Sequence, residues 1–185
     1  MKTLIINNHT QHLEQLVLVF PNATVLEKEK LQYTTDLSNY DLLVFSGGSN
    51  VPTVLRHLEE YRTEIEVIKN TTIPVIGICL GAEIITKAFG GELKELTSEH
   101  RGIIELEIIN SDLQKKLGVK NIKVTEGHHI GIKTMPLDFI SYAKSEHGIE
   151  IIKHKSKPII AIQFHPEVSE NKNIIEWLLK EVIPL

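Results

Sequence analysis

The sequence predicts a single-domain α/β fold with a mostly parallel central sheet and helices on both of its faces. Its first half alternates short apolar runs with stripes at helical spacing, which is the pattern of strands and covering helices in such sheets. The chain of 185 residues is long enough to bury a core, and its 42% hydrophobic and 24% charged residues are near the globular average. We found no linker, repeat or low-complexity stretch, so we expect one domain over residues 1–185.

The first half supplies the strands and helices in alternation. Short apolar runs predict four strands, at residues 2–7, 24–26, 41–45 and 74–78. Apolar residues at helical spacing predict three helices: one with Leu13, Leu16, Val17 and Phe20; one with Val54, Leu58, Tyr61, Ile65 and Ile68; and one with Ile84, Ile85, Ala88 and Phe89. Gly90-Gly91 is expected to end the third helix.

The second half is richer in strand-like runs. They predict five further strands, at residues 103–109, 122–125, 139–143, 149–152 and 159–164. A last helix is predicted to begin at Asn171 and to carry Ile174, Ile175, Leu178 and Val182. These stripes are interpreted as core positions and not as cofactor contacts.

Composition argues against several classes of function. The formal net charge of −4 and the scattered lysines and arginines give no basic surface, so we expect no binding of nucleic acid. No apolar run reaches membrane-spanning length, and the opening Leu4-Ile5-Ile6 is followed at once by polar residues, unlike a secretory signal. The single cysteine permits no internal disulfide. We therefore expect a cytoplasmic enzyme.

That cysteine, Cys79, lies where a predicted strand turns into a predicted helix. Gly77 and Gly81 flank it, and glycines on both sides allow the strained turn that lifts a nucleophile onto the rim of a sheet. The positive end of the following helix would favour the thiolate. A lone cysteine is more often a small buried hydrophobe, so its position alone does not decide the matter.

A second segment strengthens the case for chemistry. His165 and Glu167 follow the predicted strand at 159–164 and are two residues apart, so in an extended chain they share a face. A cysteine nucleophile needs a base, and the base needs a group that orients it. Because ligands bind outside the carboxyl ends of strands in open α/β sheets, we expect Cys79, His165 and the strand ending at Gly47-Gly48 to meet at one crevice.

These segments resemble the signature segments of the class I (triad) glutamine amidotransferases. The similarity rests on Gly77-Ile78-Cys79-Leu80-Gly81, on Phe164-His165-Pro166-Glu167-Val168 and on the strand ending in Ser46-Gly47-Gly48, in that family's order and rough spacing. Within the family, the chain most resembles the glutaminase subunits of two-subunit GMP synthases. The resemblance implies a flavodoxin-like α/β fold.

The resemblance also implies an activity. Cys79, His165 and Glu167 would form the catalytic triad, and the backbone N–H groups of Gly48 and Leu80 would bind the oxyanion. Glutamine would be hydrolysed to glutamate and ammonia through a γ-glutamyl thioester, without a cofactor. The family's habit implies a partner, an ATP-dependent synthetase subunit, which in a GMP synthase converts XMP to GMP.

The sequence departs from the family pattern around the predicted substrate. Glu83 stands where the family usually has a glutamine that helps to hold the substrate, and a carboxylate there would repel the substrate's carboxylate. A second departure lies at residues 126–130, where the resemblance implies a Ser-His-x-Asp segment that faces the synthetase partner in GMP synthases; this chain keeps one histidine, His128, and loses the aspartate. We predict Gly47, Glu83 and His128 as substrate-binding residues.

Two alternatives and one expected absence complete the interpretation. The chain could be a free-standing hydrolase of γ-glutamyl amides or peptides, or a catalytically inactive regulatory subunit. We expect no metal site, because the sequence lacks His-Glu-x-x-His and cysteine pairs. The remaining histidines show no ligand spacing: His9, His12, His57, His100, His147 and His154.

Overall fold

The computed structural model describes residues 1–170 and 173–183. Within them, nine strands form one sheet: β1 (Thr3–Asn8), β2 (Thr24–Glu27), β3 (Leu42–Gly48), β4 (Val75–Ile78), β5 (Glu92–Ile108), β6 (Asn121–Thr134), β7 (Phe139–Lys144), β8 (Ile149–His154) and β9 (Ile159–Ile162). The α-helices described are α1 (Leu13–Val19), α2 (Arg62–Asn70), α3 (Leu80–Ala88), α4 (Ser111–Leu117) and α5 (Asn173–Val182). Short 3₁₀ turns occupy Lys28–Lys30 and Leu58–Tyr61.

The sheet has a parallel part and an antiparallel part. Its strand order is β2-β1-β3-β4-β9-β8-β6-β5-β7. Strands β2, β1, β3, β4 and β9 pair in parallel, whereas β8, β6, β5 and β7 pair antiparallel, and β7 also pairs with β8. The predicted α/β fold class is confirmed, but the sheet is more mixed than the sequence indicated, because β5, β6, β7 and β8 pair antiparallel, with the short helix α4 between β5 and β6.

Helices cover both faces of the parallel part. Alternation along β1 sends Ile5 to one core cluster and Leu4 and Ile6 to the other, because successive side chains of a strand point to opposite faces. The first cluster includes buried side chains of α1 and α5, and the second those of α2 and α3. Each buried Leu, Ile or Phe contributes about 1.5–3 kcal/mol to folding.

The structure differs from the predicted elements in several places. Strand β5 begins at Glu92, earlier than predicted, and β6 continues to Thr134. Helix α4 was not predicted, since its short length buries only Leu113 and leaves no apolar stripe. The helix predicted from the apolar residues between Val54 and Ile68 begins only at Arg62, as α2.

Helix ends also differ from the prediction. The predicted start of the last helix at Asn171 lies outside the described residues, and α5 is described from Asn173. Asn110 caps α4 through its side chain, which accepts hydrogen bonds from the backbone N–H groups of Asp112 and Leu113. Over the ranges that the structure describes, no helix is long and apolar enough to cross a membrane.

Candidate active site

Cys79 occupies a strained turn between β4 and α3. Its backbone has φ +50° and ψ −106°, and a non-glycine residue with positive φ of this kind costs about 1–3 kcal/mol. The Cys79 N–H donates a 2.7 Å hydrogen bond to the carbonyl of Ile162 in β9, which ties the turn to the neighbouring strand. The predicted turn is therefore present, and it holds the sulfur at the carboxyl edge of the sheet.

The flanking glycines make this turn possible. A Cβ on Gly77 would lie 2.6 Å from the carbonyl oxygen of Gly81, and a Cβ on Gly81 would collide with the carbonyl oxygen of Phe45 in β3. Helix α3 thus crosses the strands at a distance that only glycine permits. This is the physical reason for the Gly-x-Cys-x-Gly pattern in the sequence.

His165 and Glu167 form an oriented pair just after β9. Nδ1 of His165 lies 2.8 Å from Oε1 of Glu167, and both side chains are buried. The backbone on either side is also anchored: the His165 N–H donates to the carbonyl of Thr125 at 2.8 Å, and the Ser169 hydroxyl donates to the carbonyl of His165 at 2.7 Å. The ring therefore has one nitrogen held by Glu167 and the other available to the sulfur.

The electrostatics of His165 favour its charged form. Burial lowers the pKa of the ring, but the charge and hydrogen bond of Cys79, and those of Glu167, outweigh burial and raise the pKa to about 10. The structure thus brings Cys79, His165 and Glu167 together as the sequence predicted. An imidazolium beside the sulfur is the arrangement that stabilises a thiolate.

The glycine pair at the end of β3 lies against these residues. A Cβ on Gly47 would lie 2.9 Å from Cε1 of His165 and 3.5 Å from Cβ of Cys79. A Cβ on Gly48 would collide with the Leu80 side chain. The preceding Ser46 hydroxyl accepts a 2.8 Å hydrogen bond from the N–H of Asn8, which anchors the loop to β1.

An open cleft of about 410 Å³ lies over this edge of the sheet. Six of the eight predicted site residues line it, namely Gly48, Cys79, Leu80, Glu83, His128 and His165. Gly47 and Glu167 lie behind that surface, each beside the His165 ring. The strand ends therefore converge on one crevice, as expected.

Glu83 is buried on the first turn of α3. Its Oε1 accepts a hydrogen bond of 3.5 Å from the Gln163 amide. Burial raises the pKa of Glu83 to about 8, although the nearby His128 charge and the Gln163 hydrogen bond act in the opposite direction. The repulsion that a carboxylate would exert on a substrate is thus avoided near neutral pH, where the neutral acid predominates. A protonated carboxyl can donate and accept hydrogen bonds, as an amide can.

His128 lies in the middle of β6, not in a loop after a strand that ends at Thr125. Its side chain is buried, and its Nε2 is 3.1 Å from Oε2 of Glu126. Burial lowers the pKa of His128, but Glu126 and Glu150 outweigh burial and raise it. This raised pKa favours the protonated form of the ring, which lies at one wall of the cleft near Glu83.

The sequence analysis assigned no role to several residues that line the cleft, among them Thr10, His12 and Arg101. The His12 ring stands edge-on to the His165 ring with 4.9 Å between centroids. Its pKa is lowered by burial and by the charge of His165. Thr10 and His12 follow the carboxyl end of β1, so the rule that located Gly48 and Cys79 could also have found them.

Comparisons with known proteins agree with this geometry. The chain is 34% identical over 176 residues to a glutamine-hydrolysing GMP synthase subunit of Methanothermobacter thermautotrophicus, covering 91% of this chain and 90% of that protein. It is 32% identical over 163 residues to the subunit of the same name from Pyrococcus furiosus, covering 84% and 78% respectively.

Solved structures and a family model give the same result. A Thermoplasma acidophilum protein provisionally identified as one of the GMP synthase subunits superposes with a TM-score of 0.85 at 25% identity, over 99% of this chain and 94% of that one. A glutamine amidotransferase of Thermotoga maritima shares the fold, with a TM-score of 0.72 at 19% identity over 91% and 76%. The family model described as "Glutamine amidotransferase class-I" matches residues 3–185. The chain therefore belongs to the class I glutamine amidotransferase family.

Proposed function

We propose that this protein hydrolyses the side-chain amide of glutamine to glutamate and ammonia, with Cys79 as nucleophile. The observation that carries the proposal is the meeting of two strand ends at one cleft. Cys79, on its strained turn after β4, lies beside the His165 ring after β9, and Nδ1 of that ring lies 2.8 Å from Glu167. A nucleophile, a base and an orienting carboxylate in this order are what acyl transfer requires.

The first half-reaction forms a thioester. The Cys79 thiolate attacks the carboxamide carbon, a C–S bond forms, and the carbonyl electrons move to oxygen. The His165 imidazolium then gives its proton to the amide nitrogen as the C–N bond breaks, so ammonia leaves and a γ-glutamyl thioester remains. Glu167 keeps the ring oriented and stabilises its positive charge.

The second half-reaction releases glutamate. The now neutral His165 takes a proton from water, and the hydroxide attacks the thioester carbon. When the tetrahedral intermediate collapses, the C–S bond breaks and returns the electron pair to sulfur, which restores the thiolate beside the imidazolium. The complete cycle therefore ends in the protonation states with which it began.

Two backbone N–H groups are assigned to the developing oxyanion. Leu80 is the first residue of α3, and the first N–H groups of a helix have no carbonyl one turn earlier to bond. Gly48 ends β3 beside the Leu80 side chain. Donors of this kind are each worth about 2.7–4 kcal/mol in the transition state.

Substrate recognition is assigned to Gly47, Glu83 and His128. A side chain at Gly47 would press on the His165 ring beside Cys79, so Gly47 is assigned a role through its backbone. Protonated Glu83 supplies a donor and an acceptor inside the cleft wall, in place of an amide. The His128 ring next to it lines the cleft and can donate a hydrogen bond to the carboxylate of an amino-acid substrate.

We further propose that the ammonia passes to an ATP-dependent synthetase subunit. The chain has no Gly-x-x-x-x-Gly-Lys phosphate loop of its own, and relatives that it matches over most of their length are named as glutamine-hydrolysing subunits of GMP synthase. On this basis the acceptor reaction is the conversion of XMP to GMP.

The test is glutamate formation from glutamine by the purified chain, with and without a GMP synthetase subunit. We expect turnover that rises with the partner and is lost in Cys79→Ala, while Cys79→Ser serves as the matched variant of similar size. Turnover that survives in Cys79→Ala would contradict the proposal.

A second substrate series separates the remaining alternative. Glu83 stands where the family usually has an amide, so a hydrolase of other γ-glutamyl compounds is the alternative to test. If a γ-glutamyl amine or peptide were cleaved far faster than glutamine, that hydrolase would be the correct assignment. Absence of cleavage of either substrate with the partner present would indicate a regulatory subunit.

A further inference from the structure

A buried cluster of histidine and glutamate side chains lies in the antiparallel part of the sheet. His100 on β5 pairs with His128 on β6, and directly opposed residues of antiparallel strands share a face. Glu126, two residues from His128, lies on the same face. His147, in the turn between β7 and β8, reaches the cluster from a third segment.

Glu126 is the centre of this cluster, and its two oxygens have different partners. Oε2 lies 3.1 Å from Nε2 of His128, with hydrogen-bond geometry. Oε1 lies 2.8 Å from Nδ1 of His147, but the two atoms are not aligned as a hydrogen bond. The side chains of Glu126 and His147 are only 1% and 9% exposed.

Buried polar atoms without a hydrogen-bond partner are rare, and each calls for an explanation. Here two such atoms, Oε1 of Glu126 and Nδ1 of His147, face each other across a short gap. The two atoms form a close ion pair without hydrogen-bond alignment, and an electron-pair acceptor bound by both would satisfy their remaining hydrogen-bonding capacity. A carboxylate oxygen and an imidazole nitrogen are two of the ligands that Zn²⁺ takes in proteins.

His100 supplies a third ligand. Its ring lies against the His147 ring with 3.7 Å between centroids, and ligand atoms of His100, Glu126 and His147 all lie within 4.8 Å of one another. We propose that His100, Glu126 and His147 bind one divalent transition-metal ion of the Zn²⁺ type. Two histidines and one carboxylate form a known ligand set for zinc, with a fourth position open to water.

The geometry needs only a small adjustment. Zinc bonds of 2.0–2.2 Å in a tetrahedron place ligand atoms roughly 3.4 Å apart. His147 lies in the turn between two strands, between Ser145 and Gly148, so its ring is the ligand that can move. His128 holds the other oxygen of Glu126 and so orients the carboxylate, as outer partners of metal ligands do.

The neighbouring set of Glu126, His128 and Glu150 fits such an ion less well. It offers two carboxylates and one imidazole, and Glu150 already accepts a 2.7 Å hydrogen bond from the Ser145 hydroxyl. Hard cations such as Ca²⁺ and Mg²⁺ prefer six or more oxygens, which this cluster does not supply. The set with two imidazoles is therefore the one assigned to the metal.

The test uses Zn²⁺ and Co²⁺ alone and the Cys79→Ala chain, so that the thiol beside His165 cannot bind the ion. Titration calorimetry with Zn²⁺ should give one ion per chain. Co²⁺ should show the intense visible absorption of tetrahedral coordination without a thiolate band. The melting temperature should rise by about 5–10 °C at a hundredfold excess over Kd.

Variants then assign the ligands. His147→Gln and His100→Gln should each weaken Zn²⁺ binding at least tenfold, as the loss of a ligand would. His57→Gln, which removes an exposed histidine near Glu59, should leave binding unchanged. Circular dichroism of the metal-free variants checks that each is folded. If His147→Gln does not fold, His100→Gln tests the site, because His100 is less buried.

The outcomes separate clearly. Binding lost in both ligand variants and kept in His57→Gln supports the site. No binding by the Cys79→Ala chain overturns it, as does binding that persists in both variants. Loss of binding in His128→Gln but not in His147→Gln would also overturn the assignment. Because binding is measured without Cys79, the result is independent of whether the protein hydrolyses glutamine.

Discussion

The parallel and antiparallel parts of the sheet hold their polar groups in different ways. In the parallel part, Cys79 and His165 lie just beyond the ends of β4 and β9, where the chain leaves the sheet. In the antiparallel part, His100, Glu126 and His128 lie within long strands, on one shared face. Residues at strand ends reach one crevice whatever the detailed register, whereas residues within strands meet only if the register is correct.

The two parts also carry different energetic costs. The turn at Cys79 stores backbone strain. Gly77 and Gly81 leave space for this turn, and the hydrogen bond to Ile162 offsets part of its energetic cost. The cluster around Glu126 instead carries the cost of removing charged groups from water, offset by pairing. A function that depends on strain should be sensitive to backbone changes, and one that depends on burial should be sensitive to pH.

Loss of the base in the parallel part should have the largest effect. We expect His165→Asn to lower kcat for glutamate formation at least about a thousandfold, because no group then donates a proton to the amide nitrogen as ammonia leaves. Steady-state rates with saturating glutamine measure this, with His57→Asn as an exposed histidine control. A loss of kcat below tenfold would show that His165 is not the base. The parallel part of the sheet would then no longer differ from the antiparallel part by carrying the catalytic groups.

Glu83 lies between the two parts, beside Gln163 and near His128, and should make stability depend on pH. Its pKa is raised from 4.5 to about 8 in the folded chain, so the native state keeps a proton that the unfolded state loses. The free energy of unfolding therefore falls as pH rises from 4.5 to about 8, by up to about 1.4 kcal/mol per pH unit.

Glu83→Gln should remove that part of the slope. The measurement is the free energy of unfolding in urea at several pH values between the two pKa values, compared between the wild type and the variant. Because an amide imitates the neutral acid, we expect kcat/KM near neutral pH to change less than tenfold. Equal slopes in the two proteins would show that Glu83 is ionised in the folded chain.

Gly81→Ala tests the close crossing of α3 over the strands. The added Cβ would collide with a backbone carbonyl of β3, which cannot move as a side chain can, so we expect a loss of about 1–3 kcal/mol in the free energy of unfolding. Gly127→Ala on β6 is the matched control, since a Cβ there meets nothing within 4 Å. Similar effects of the two changes would contradict the idea that the close backbone approach beside the Cys79 turn makes Gly81 sensitive to substitution.

Asn110→Ala should have the smallest effect, far from both polar sites. It removes the side-chain cap of α4 and should cost about 1 kcal/mol of unfolding free energy. We expect kcat to stay unchanged, as measured alongside the His165 variant. A clear loss of activity would mean that the ends of the antiparallel strands communicate with the cleft.

Most of the first half of the fold could be predicted from the sequence. The strands β1, β3 and β4 are short and contain buried apolar runs, and these strands and the partly exposed β2 differ from the predicted ranges by few residues. The start of β5 at Glu92 could not be predicted, because the first residues of this strand are mostly polar and contain no apolar run. Helix α4 was not predicted for a similar reason, since it has no apolar stripe. Asn110 before it and Gly118 after it, with φ +71°, are residues typical of helix ends and could have indicated its bounds.

The sequence alone determined which residues could act at the carboxyl edge, because Gly77, Cys79, Gly81, His165 and Glu167 belong to local patterns whose meaning depends on a strand end and a turn. Tertiary structure decided the pKa values of Glu83 and His165, since these depend on burial and on neighbours distant in the chain. It also decided the cluster of His100, Glu126 and His147. Strand register brings these three together, and register is set by the packing of the whole sheet rather than by spacing along the chain.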